Sequence, residues 1–312
     1  MTDRALAVVR AGALTTVQDL GRAGHAHLGV PRSGALDLPA HLLANRLVGN
    51  PEEAAGLETT LNGCAVRPRC PVTVAVTGAP CRVTLDGRPA AWGAAVRVAA
   101  GSVLELGPAV RGVRSYLAFG GGVAAAPVLG SRSTDLLSGL GPAPLTDGAV
   151  LPLGNPGSTA APAHPDVVPC RSPPAELVLP VLLGPRDDWF TPASLRTLAT
   201  GHYRVASAGN RIGLRTEGPP LQRSRPGELP SEGMPLGAVQ VPPDGRPVVF
   251  LADHPTTGGY PVVGVVPEVH LPAAAQAVPG TPLRFAPVRR GSGRGGGGRG
   301  GGRDDPGRPD CP

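Results

Sequence analysis

The chain has 312 residues, of which 41% are hydrophobic and 17% charged, and its net charge is +6. This hydrophobic content excludes a fully disordered protein, although 46 Gly and 39 Pro approach the level of unpatterned disordered chains. Apart from histidine, every basic residue is arginine. The absence of lysine excludes an unaided P-loop, Schiff-base catalysis and a covalently attached biotin or lipoyl group, because each requires a lysine amine.

Most periodic segments are short, rich in β-branched residues and bounded by Gly or Pro, which predicts strands. The predicted strands are residues 6–10, 71–77, 82–85, 96–98, 103–106, 115–119, 176–183, 203–206, 239–241, 248–251 and 262–266. Two helices are predicted, one with Asp37 as N-cap and Pro39 in its first turn, the other with Thr191 as N-cap and Pro192 at its first position. Many strands and few helices predict a mainly β fold, a barrel or sandwich, rather than a doubly wound sheet.

Two segments without apolar periodicity divide the chain. Residues 152–174 are rich in proline and predict a connection between folded parts. Residues 289–312 contain six Arg and ten Gly but no aliphatic or aromatic side chain, which predicts a disordered tail without a specific function. We therefore expect two packed β-rich lobes, an N-terminal lobe over residues 1–151 and a C-terminal lobe over residues 175–288.

The cysteines and the apolar runs bear on the compartment. The five cysteines form no C-x-x-C pair, and their odd number favours reduced structural thiols over a disulfide framework. The first apolar run is too short for a signal peptide, and no window is long enough for a membrane span. The Arg/Gly tail lacks the interleaved aromatic residues of nucleic-acid-binding segments. We expect a cytoplasmic protein that binds neither membranes nor nucleic acids.

The first polar cluster follows the N-terminal strand and consists of Gln18, Asp19 and Arg22 around a turn-forming Gly21. A Gly-rich stretch then leads to Asp37 at the start of the first helix, where free N–H groups favour anions. A substrate-binding turn and a structural turn both fit the first three residues. For Asp37 a simple helix cap is the favoured interpretation.

The second cluster contains Asn210, Arg211 and Arg215. Residues four positions apart on an extended chain lie on one face, so Arg211 and Arg215 are expected to form a fork of two guanidinium groups. Such a fork suits a carboxylate or a phosphate. A surface arginine pair bound to acids such as Glu217 fits the sequence equally well.

The densest polar cluster, residues 253–260, comes directly after an apolar strand and is typical of a functional loop. Adjacent strand residues point to opposite faces, so Asp253 is not expected to orient His254 as a dyad. A histidine satisfied by backbone groups is the alternative. Gly258 and Gly259 allow a ligand to approach the backbone closely. No metal site is predicted, since His25 and His27 lack a nearby carboxylate or cysteine pair.

Eight ordered segments carry a resemblance to a known family. They are TTVQDLGRAGHAHLGVPRSGALD, ANRLVGNPEEAAGLE, VTGAP, SYLAFGGGV with VLGSRSTDL, GPRDDWF, NRIGLRTEGP, SEGMPLGAVQVPPDGRPVVFLADHPTTGGYP and AQAVPGTPLRF. Together, from about Leu6 to Phe285, they resemble the biotin-dependent carboxyltransferase family, also described as allophanate hydrolase subunit 2. The resemblance implies a cyclophilin-like β-barrel architecture.

The resemblance also implies an activity and partners. The family includes a subunit of the bacterial ATP-dependent 5-oxoprolinase, an enzyme that opens 5-oxo-L-proline to L-glutamate. That activity implies a subunit-1-type partner protein, a third oxoprolinase subunit and ATP, which a partner supplies or shares because this chain has no nucleotide motif. Two alternatives stay open: a carboxyltransferase component acting on urea or a related amide, and a non-catalytic antagonist of a kinase inhibitor.

Opening a lactam requires a polarised carbonyl and a proton for the leaving nitrogen. Asp19 and His254 are therefore the expected catalytic residues, acting in proton transfer. The expected substrate-binding residues are Gln18, Arg22, Asn210, Arg211, Arg215, Thr256, Thr257, Gly258, Gly259 and Tyr260. We expect the Gln18 to Arg22 turn and the 253–260 loop to line one cavity, although more than two hundred residues separate them.

Overall fold

A computed structural model describes residues 4–157, 174–227 and 229–288. Within these ranges the chain forms twenty strands, which are spread over all three ranges, and three short α-helices. The strands before residue 158 are β1 (Ala5–Arg10), β2 (Leu14–Gln18), β3 (Gly56–Thr60), β4 (Ala65–Pro68), β5 (Val72–Gly78), β6 (Cys81–Leu85), β7 (Arg88–Pro89), β8 (Ala95–Val98), β9 (Leu104–Ala109), β10 (Arg114–Phe119) and β11 (Val150–Pro152). Those after residue 174 are β12 (Leu177–Leu183), β13 (Tyr203–Val205), β14 (Gly213–Glu217), β15 (Glu232–Gly233), β16 (Ala238–Gln240), β17 (Val248–Phe250), β18 (Thr257–Gly258), β19 (Val262–Val265) and β20 (Pro282–Val288).

The N-terminal strands form two antiparallel sheets. One has the order β11-β1-β4-β9-β6-β7 and the other the order β2-β3-β10-β5-β8. Leu6, Leu57, Leu104, Leu117 and Phe119 are fully buried in the core that the two sheets share. Every residue of β10 is buried, because this strand lies at the centre of its sheet and helix α1 covers its other face.

The C-terminal strands close into a seven-stranded barrel of order β12-β19-β16-β17-β14-β13-β20. A parallel pairing of β12 with β20, six residues long, closes the barrel between the first and last strands. The small β15–β18 ribbon lies outside it. The mainly β fold class and its barrel are thereby confirmed. The proposed lobe limits stay predictions, and most of the Pro-rich connection, residues 158–173, and the tail 289–312 lie outside the described residues.

Three α-helices are present in the described ranges: α1 (Leu38–Leu47), α2 (Pro192–Thr200) and α3 (Leu271–Ala275). The two predicted N-caps are confirmed, since Asp37 accepts from the Ala40 amide at 3.2 Å and Thr191 accepts from the Ser194 amide at 3.1 Å. No helix in this part of the chain has the length and apolarity to cross a membrane.

Several elements were not predicted, and their residues share one property. Strand β3 reads GLETT, β2 reads LTTVQ and β14 reads GLRTE, so none shows an apolar alternation. Glu58 and Thr59 are nevertheless buried. Their polar groups have partners from other parts of the fold, which a local pattern does not contain. Gln18 also belongs to strand β2, so the turn begins only at Asp19.

The two β structures pack against each other through the segment before α1. Leu36, from the N-terminal half, belongs to the hydrophobic cluster of the barrel together with Leu251 and Leu271. The same segment places Ser33 and Gly34 beside the end of β17, because the Ser33 amide donates to the Ala252 carbonyl at 3.0 Å. The interface between the halves is therefore where residues distant in sequence meet.

Candidate functional site

Four charged side chains meet at the interface between the sheets and the barrel. This interlobe ion cluster consists of Glu58 on β3, Arg114 at the start of β10, Arg211 in the turn before β14 and Asp253 just after β17. Glu58, Arg211 and Asp253 are each no more than 1% exposed, and Arg114 is 7% exposed. Charges so deeply buried are tolerated only when they are paired and hydrogen-bonded.

Arg211 is the centre of the cluster. Its Nε and Nη2 donate to the two carboxylate oxygens of Asp253 at 2.9 and 3.0 Å, and Nη2 also donates to the Gly34 carbonyl at 2.6 Å. Its Nη1 donates to Glu58 Oε1. Burial disfavours the charge on Arg211, yet Glu58 and Asp253 raise its pKa, so the guanidinium stays charged. Arg211 therefore ties the barrel to the sheets.

The carboxylate of Glu58 is held by neutral donors as well as by the arginines. Its Oε2 accepts from the Tyr116 hydroxyl at 2.7 Å and from the Leu36 amide at 3.0 Å. Burial acts to raise the pKa of Glu58, but Arg211 and Arg114 outweigh it and hold the pKa below its ordinary value. Glu58 is accordingly an ionised side chain in the interior.

Asp19 sits in a dense set of donors. Its Oδ1 accepts from the Gly21 amide at 2.8 Å and from the hydroxyls of Ser131 and Ser133 at 2.6 Å each, and its Oδ2 accepts from the Arg132 amide at 2.6 Å. This arrangement fixes the turn against residues 131–133. Its geometry suits a structural carboxylate, and proton transfer by Asp19 stays a prediction.

The two neighbours of Asp19 are buried too. Arg22 donates to the carbonyls of Val128 and Ser133, and its Nη1 has no hydrogen-bond partner in the described ranges. Gln18 donates from its amide nitrogen to the Thr134 carbonyl at 3.1 Å, and its Oε1 has no partner among the described residues. Both side chains face the 131–134 segment rather than the barrel, and their substrate contacts remain predicted.

Ser33 links the Asp19 turn to Asp253. Its hydroxyl lies 2.9 Å from the Thr134 carbonyl and 2.8 Å from Asp253 Oδ1, and its backbone is left-handed with φ 56°. The close approach of the two chain segments here requires glycine, since a Cβ on Gly34 would lie 2.8 Å from the Gly21 nitrogen. The predicted proximity of the N-terminal turn to the start of the 253–260 loop is present in this geometry.

A cavity shared by the turn and the loop stays a prediction. A cavity of about 200 Å³ lies beside Ser33 and is lined by Leu20 from the turn and by Ala252 from the end of the strand. His254 and residues 256–260 are not among the described residues that line it. The cavity is mainly apolar, with Arg32 and Glu268 paired at 2.8 Å on its exposed side.

The predicted fork of Arg211 and Arg215 is wrong in its geometry. Arg211 lies in the turn before β14 and points into the ion cluster, whereas Arg215 is exposed on the strand itself. The extended conformation begins only at Gly213, so the spacing of four does not place the two side chains on one face. Asn210 is exposed and accepts from the Ile212 amide at 2.8 Å, which closes this turn.

His254 is buried and separate from the ion cluster. Its Nδ1 is 2.8 Å from the Pro255 carbonyl, and its ring stacks on Phe250 with centroids 5.9 Å apart. Burial lowers the pKa of His254. Because a carbonyl only accepts hydrogen bonds, Nδ1 carries the proton and Nε2 carries the lone pair of a neutral imidazole. As expected from its position, Asp253 does not pair with this ring but with Arg211.

The rest of the loop packs on the β15 side of the barrel. Thr257 and Gly258 form β18 and pair with β15, while the Thr256 carbonyl accepts from the Met234 amide at 2.8 Å. The Gly259 carbonyl accepts from the Leu229 amide at 3.1 Å. Tyr260 lies under the guanidinium of Arg223, 5.7 Å from its ring centre. The roles of these residues in substrate binding stay predictions.

Sequence reasoning did not single out Glu58, Arg114 or Ser33, which the structure places at the centre of the interface. Glu58 lies within one of the family-like segments, and Gln276, which contacts Arg114, lies within another. The available sequence signal for Glu58 was its place in that segment, because β3 shows no apolar alternation. In the part of the chain that is described, no group of three His, Cys, Asp or Glu side chains is placed to hold a metal ion.

Comparison with known proteins shows to which family this architecture belongs. The model of the carboxyltransferase domain, subdomains A and B, matches residues 28–287, which include most of both β structures and all four residues of the ion cluster. The chain belongs to the carboxyltransferase-domain family. The resemblance drawn from the eight sequence segments is thereby confirmed.

The relatives of this carboxyltransferase-domain protein fall into two groups. It is 38% identical to the C subunit of the Escherichia coli 5-oxoprolinase, with 90% of each chain covered, and 33% identical to the C subunit of the Haemophilus influenzae 5-oxoprolinase, with 88% of each covered. It is also 33% identical to urea amidolyase of Saccharomyces cerevisiae, matching 91% of this chain but 17% of that protein.

Solved structures give the same picture. The protein TTHA0988 superposes with a TM-score of 0.82 at 38% identity, covering 91% of this chain and 56% of that chain. Urea amidolyase of Kluyveromyces lactis gives a TM-score of 0.83 at 31% identity, covering 92% of this chain and 19% of the other. The chain thus spans about half of TTHA0988 and a small fraction of the urea amidolyases.

Proposed function

We propose that this chain is the C-type subunit of an ATP-dependent 5-oxoprolinase, which cleaves the lactam bond of 5-oxo-L-proline to give L-glutamate. The observation that carries the proposal is the match to the C subunit of the E. coli 5-oxoprolinase, a relative with higher identity than the urea amidolyases and one that is covered over 90% of its length. The chain is expected to act in a complex with a subunit-1-type protein and a third subunit in the cytoplasm.

The reaction adds water across one bond. The oxygen of water joins the lactam carbonyl carbon, the C–N bond breaks, and the nitrogen gains a proton. In the proposed complex ATP hydrolysis drives this step, and ATP is bound at a partner or at a shared site. The groups required from the protein are donors to the carbonyl oxygen and a proton carrier for the nitrogen.

His254 is the best-prepared proton carrier among the predicted residues. Its neutral ring, with Nδ1 fixed on the Pro255 carbonyl, leaves Nε2 as a proton acceptor at neutral pH. Asp19, by contrast, accepts hydrogen bonds from four donors that hold the turn against residues 131–133. We therefore propose that His254 transfers the proton and that Asp19 holds the N-terminal turn in its conformation. The amides and hydroxyls of residues 256–259 are the proposed donors to the carbonyl oxygen.

Reconstitution tests the function directly. The full chain is co-expressed and purified with its two partner subunits, and glutamate and ADP are measured with 5-oxo-L-proline in the presence and absence of ATP. ATP-dependent glutamate formation that requires this chain is the expected result. A complex that assembles yet forms no glutamate would contradict the proposal.

Two variants separate catalysis from assembly. His254→Ala is expected to abolish glutamate formation while the partners still co-purify, since the ring bonds only to its own neighbour's carbonyl and stacks on Phe250 in the described structure. Asp19→Asn, which keeps the shape but gives up the charge, is expected to weaken the turn and lower the melting temperature. Full activity of the His254 variant would remove it from the mechanism.

A carboxyltransferase component acting on urea or a related amide is the second candidate. The urea amidolyase relatives, at 33% identity over 91% of this chain, support it. With no lysine, the chain itself carries no biotin, so a biotinylated partner would be required. Bicarbonate- and urea-dependent ADP release by the purified complex, without glutamate formation, would favour this candidate over the first.

A further inference from the structure

A second cavity lies between the two halves of the protein. Its volume is about 150 Å³. Leu14 and Leu61 line it from the N-terminal half, Leu214 and Leu251 line it from the barrel, and Arg114 and Arg211 of the ion cluster also line it. A cavity of about this volume in an apolar interior is large enough for a benzene-sized molecule. We call it the Arg114 pocket.

Arg114 has more donors than partners. An arginine carries five N–H donors. In the described ranges the guanidinium of Arg114 gives one hydrogen bond, from Nη1 to the Ala275 carbonyl, and its buried Nε has no hydrogen-bond partner. The nearest carboxylate oxygen, Glu58 Oε1, is 3.6 Å from Nε, beyond hydrogen-bond range. Arg114 is thus 7% exposed and keeps one unpaired donor, Nε, that is itself closed to solvent.

The carboxylates of the ion cluster are distributed unequally. Arg211 binds both oxygens of Asp253 and takes the shorter contact with Glu58, so Arg114 is left with Glu58 alone at the longer distance. Burial lowers the pKa of Arg114, with the carboxylate of Glu58 opposing the effect. The cluster as a whole is balanced, two carboxylates against two guanidiniums, and what Arg114 lacks is a carboxylate oxygen within hydrogen-bond distance.

Arg114 is also held in place by its backbone. The Gln276 side chain accepts from the Arg114 amide at 3.0 Å and donates to the Arg114 carbonyl at 2.9 Å. The same Gln276 amide donates to Asp37 Oδ2 at 2.8 Å, which connects it to the start of α1. The backbone of Arg114 is therefore connected through Gln276 to both halves of the protein.

We propose that the Arg114 pocket binds a small carboxylic acid with a compact apolar body, its carboxylate on Arg114 and its ring between Leu61 and Leu214. That the acid is 5-oxo-L-proline rests on the proposed function. The five-membered ring of that molecule matches the volume, and its single carboxylate matches the one arginine of the cluster without a hydrogen bond to a carboxylate in the described ranges. Neither His254 nor residues 256–259 are among the described residues that line the pocket, so it would hold the acid by its carboxylate at a site next to Arg114 rather than at the proposed proton carrier.

Three probes of similar size test the chemistry. Isothermal titration calorimetry on the full chain, repeated on the co-purified complex, compares 5-oxo-L-proline, cyclopentanecarboxylate and 2-pyrrolidinone, which has the ring but no carboxylate. The two acids are expected to bind, and 2-pyrrolidinone is expected to bind about 10- to 100-fold more weakly, as the loss of a charge-assisted hydrogen bond predicts.

Two substitutions locate the binding. Arg114→Gln should weaken both acids to the level of 2-pyrrolidinone. Because this variant removes a partner of buried Glu58 and so endangers folding, Ala206→Leu provides a second test: Ala206 lines the pocket from a half-buried loop position, and a larger side chain there should block all three probes. Arg82→Gln, exposed on β6, is the matched control and should bind like the parent.

The outcomes separate the pocket from the function. Absence of binding by both acids, or binding unchanged in Arg114→Gln and Ala206→Leu, would overturn the pocket. Binding of cyclopentanecarboxylate without 5-oxo-L-proline would support the pocket and count against the proposed substrate. Activity of the complex on 5-oxo-L-proline that is undiminished in both pocket variants would leave the proposed function standing and overturn the placement of its substrate here.

Discussion

At the scale of single residues, Glu58 is the carboxylate that both arginines of the ion cluster share. It is 1% exposed and faces two buried arginines that come from different halves of the chain. Removing one member of such a set leaves its partners as uncompensated buried charges, which costs far more than the pair contributes in net stability. Glu58 is therefore expected to matter for folding as well as for any ligand at Arg114.

Glu58→Gln tests this directly. We expect the free energy of unfolding to fall by about 3–5 kcal/mol, and the melting temperature to fall by about 10 °C, because the two guanidinium groups lose their shared carboxylate. Thermal denaturation followed by circular dichroism measures it. Glu105→Gln is the control, since Glu105 is 51% exposed in its pair with Arg10 and its loss should cost no more than about 0.5 kcal/mol. Equal shifts in the two variants would contradict the interpretation.

At the scale of secondary structure elements, α1 connects the two halves. Its N-cap, Asp37, accepts from the Ala40 amide and also from Gln276 after α3, the residue that positions Arg114. The inner face of the helix carries His41 and Asn45, whose amide nitrogen lies 3.1 Å from His41 Nε2. The sequence predicted the cap, and its second role follows from the contact with Gln276.

The two helix caps make a matched comparison. Thr191→Ala in α2 removes only local bonds, the cap bond from the Ser194 amide and the bond to the Ser194 hydroxyl, and should cost about 1 kcal/mol. Asp37→Ala removes a cap bond together with the Gln276 contact, so we expect about twice that loss, measured by denaturant unfolding. Equal losses would mean that the Gln276 contact contributes nothing to stability.

Buried His41 predicts a pH dependence of stability. Burial lowers the pKa of His41 in the folded protein. The unfolded chain, with an ordinary histidine pKa of about 6.5, therefore takes up its proton first as the pH falls. Stability is fully present above that value and is lost as the pH falls below it, toward the folded pKa. His254 acts in the same direction, since burial lowers its pKa too.

Melting temperatures between about pH 7.5 and pH 5, a range that brackets the ordinary histidine pKa, measure the effect. The parent protein should lose stability over this range, and His41→Gln should lose less, because a neutral amide replaces the imidazole beside Asn45. His27→Gln, on an exposed turn, is the surface control and should follow the parent curve. A His41 variant with the parent's slope would assign the loss to other groups.

At the scale of the whole molecule, the proposed complex should not need the C-terminal tail. Residues 289–312 have no aliphatic or aromatic side chains with which to build an interface core. A chain that ends after Arg289 is expected to bind its partners and form glutamate at the parent rate, as measured by co-purification and product assay. Loss of partner binding on truncation would show that the tail contributes to the interface.

Local chemistry in the sequence determined the class of fold and several of its elements. Short β-branched runs between Gly and Pro predicted most strands, and Asp37 and Thr191 predicted two helix starts, because turns and caps depend on a few neighbouring residues. The ordered segments from Thr15 to Phe285 predicted the family. The lack of lysine excluded a covalently bound biotin without any structure.

The tertiary structure alone decided what the polar residues do. Arg211 and Arg215 have the same side chain in one motif, yet one is enclosed by Asp253 and Glu58 and the other is exposed, because burial depends on which distant segment packs against each. Nothing in the sequence around Glu58 indicated its burial, for the same reason. Charges in the interior are stabilised by partners that lie more than forty residues away in sequence, and no local pattern contains them.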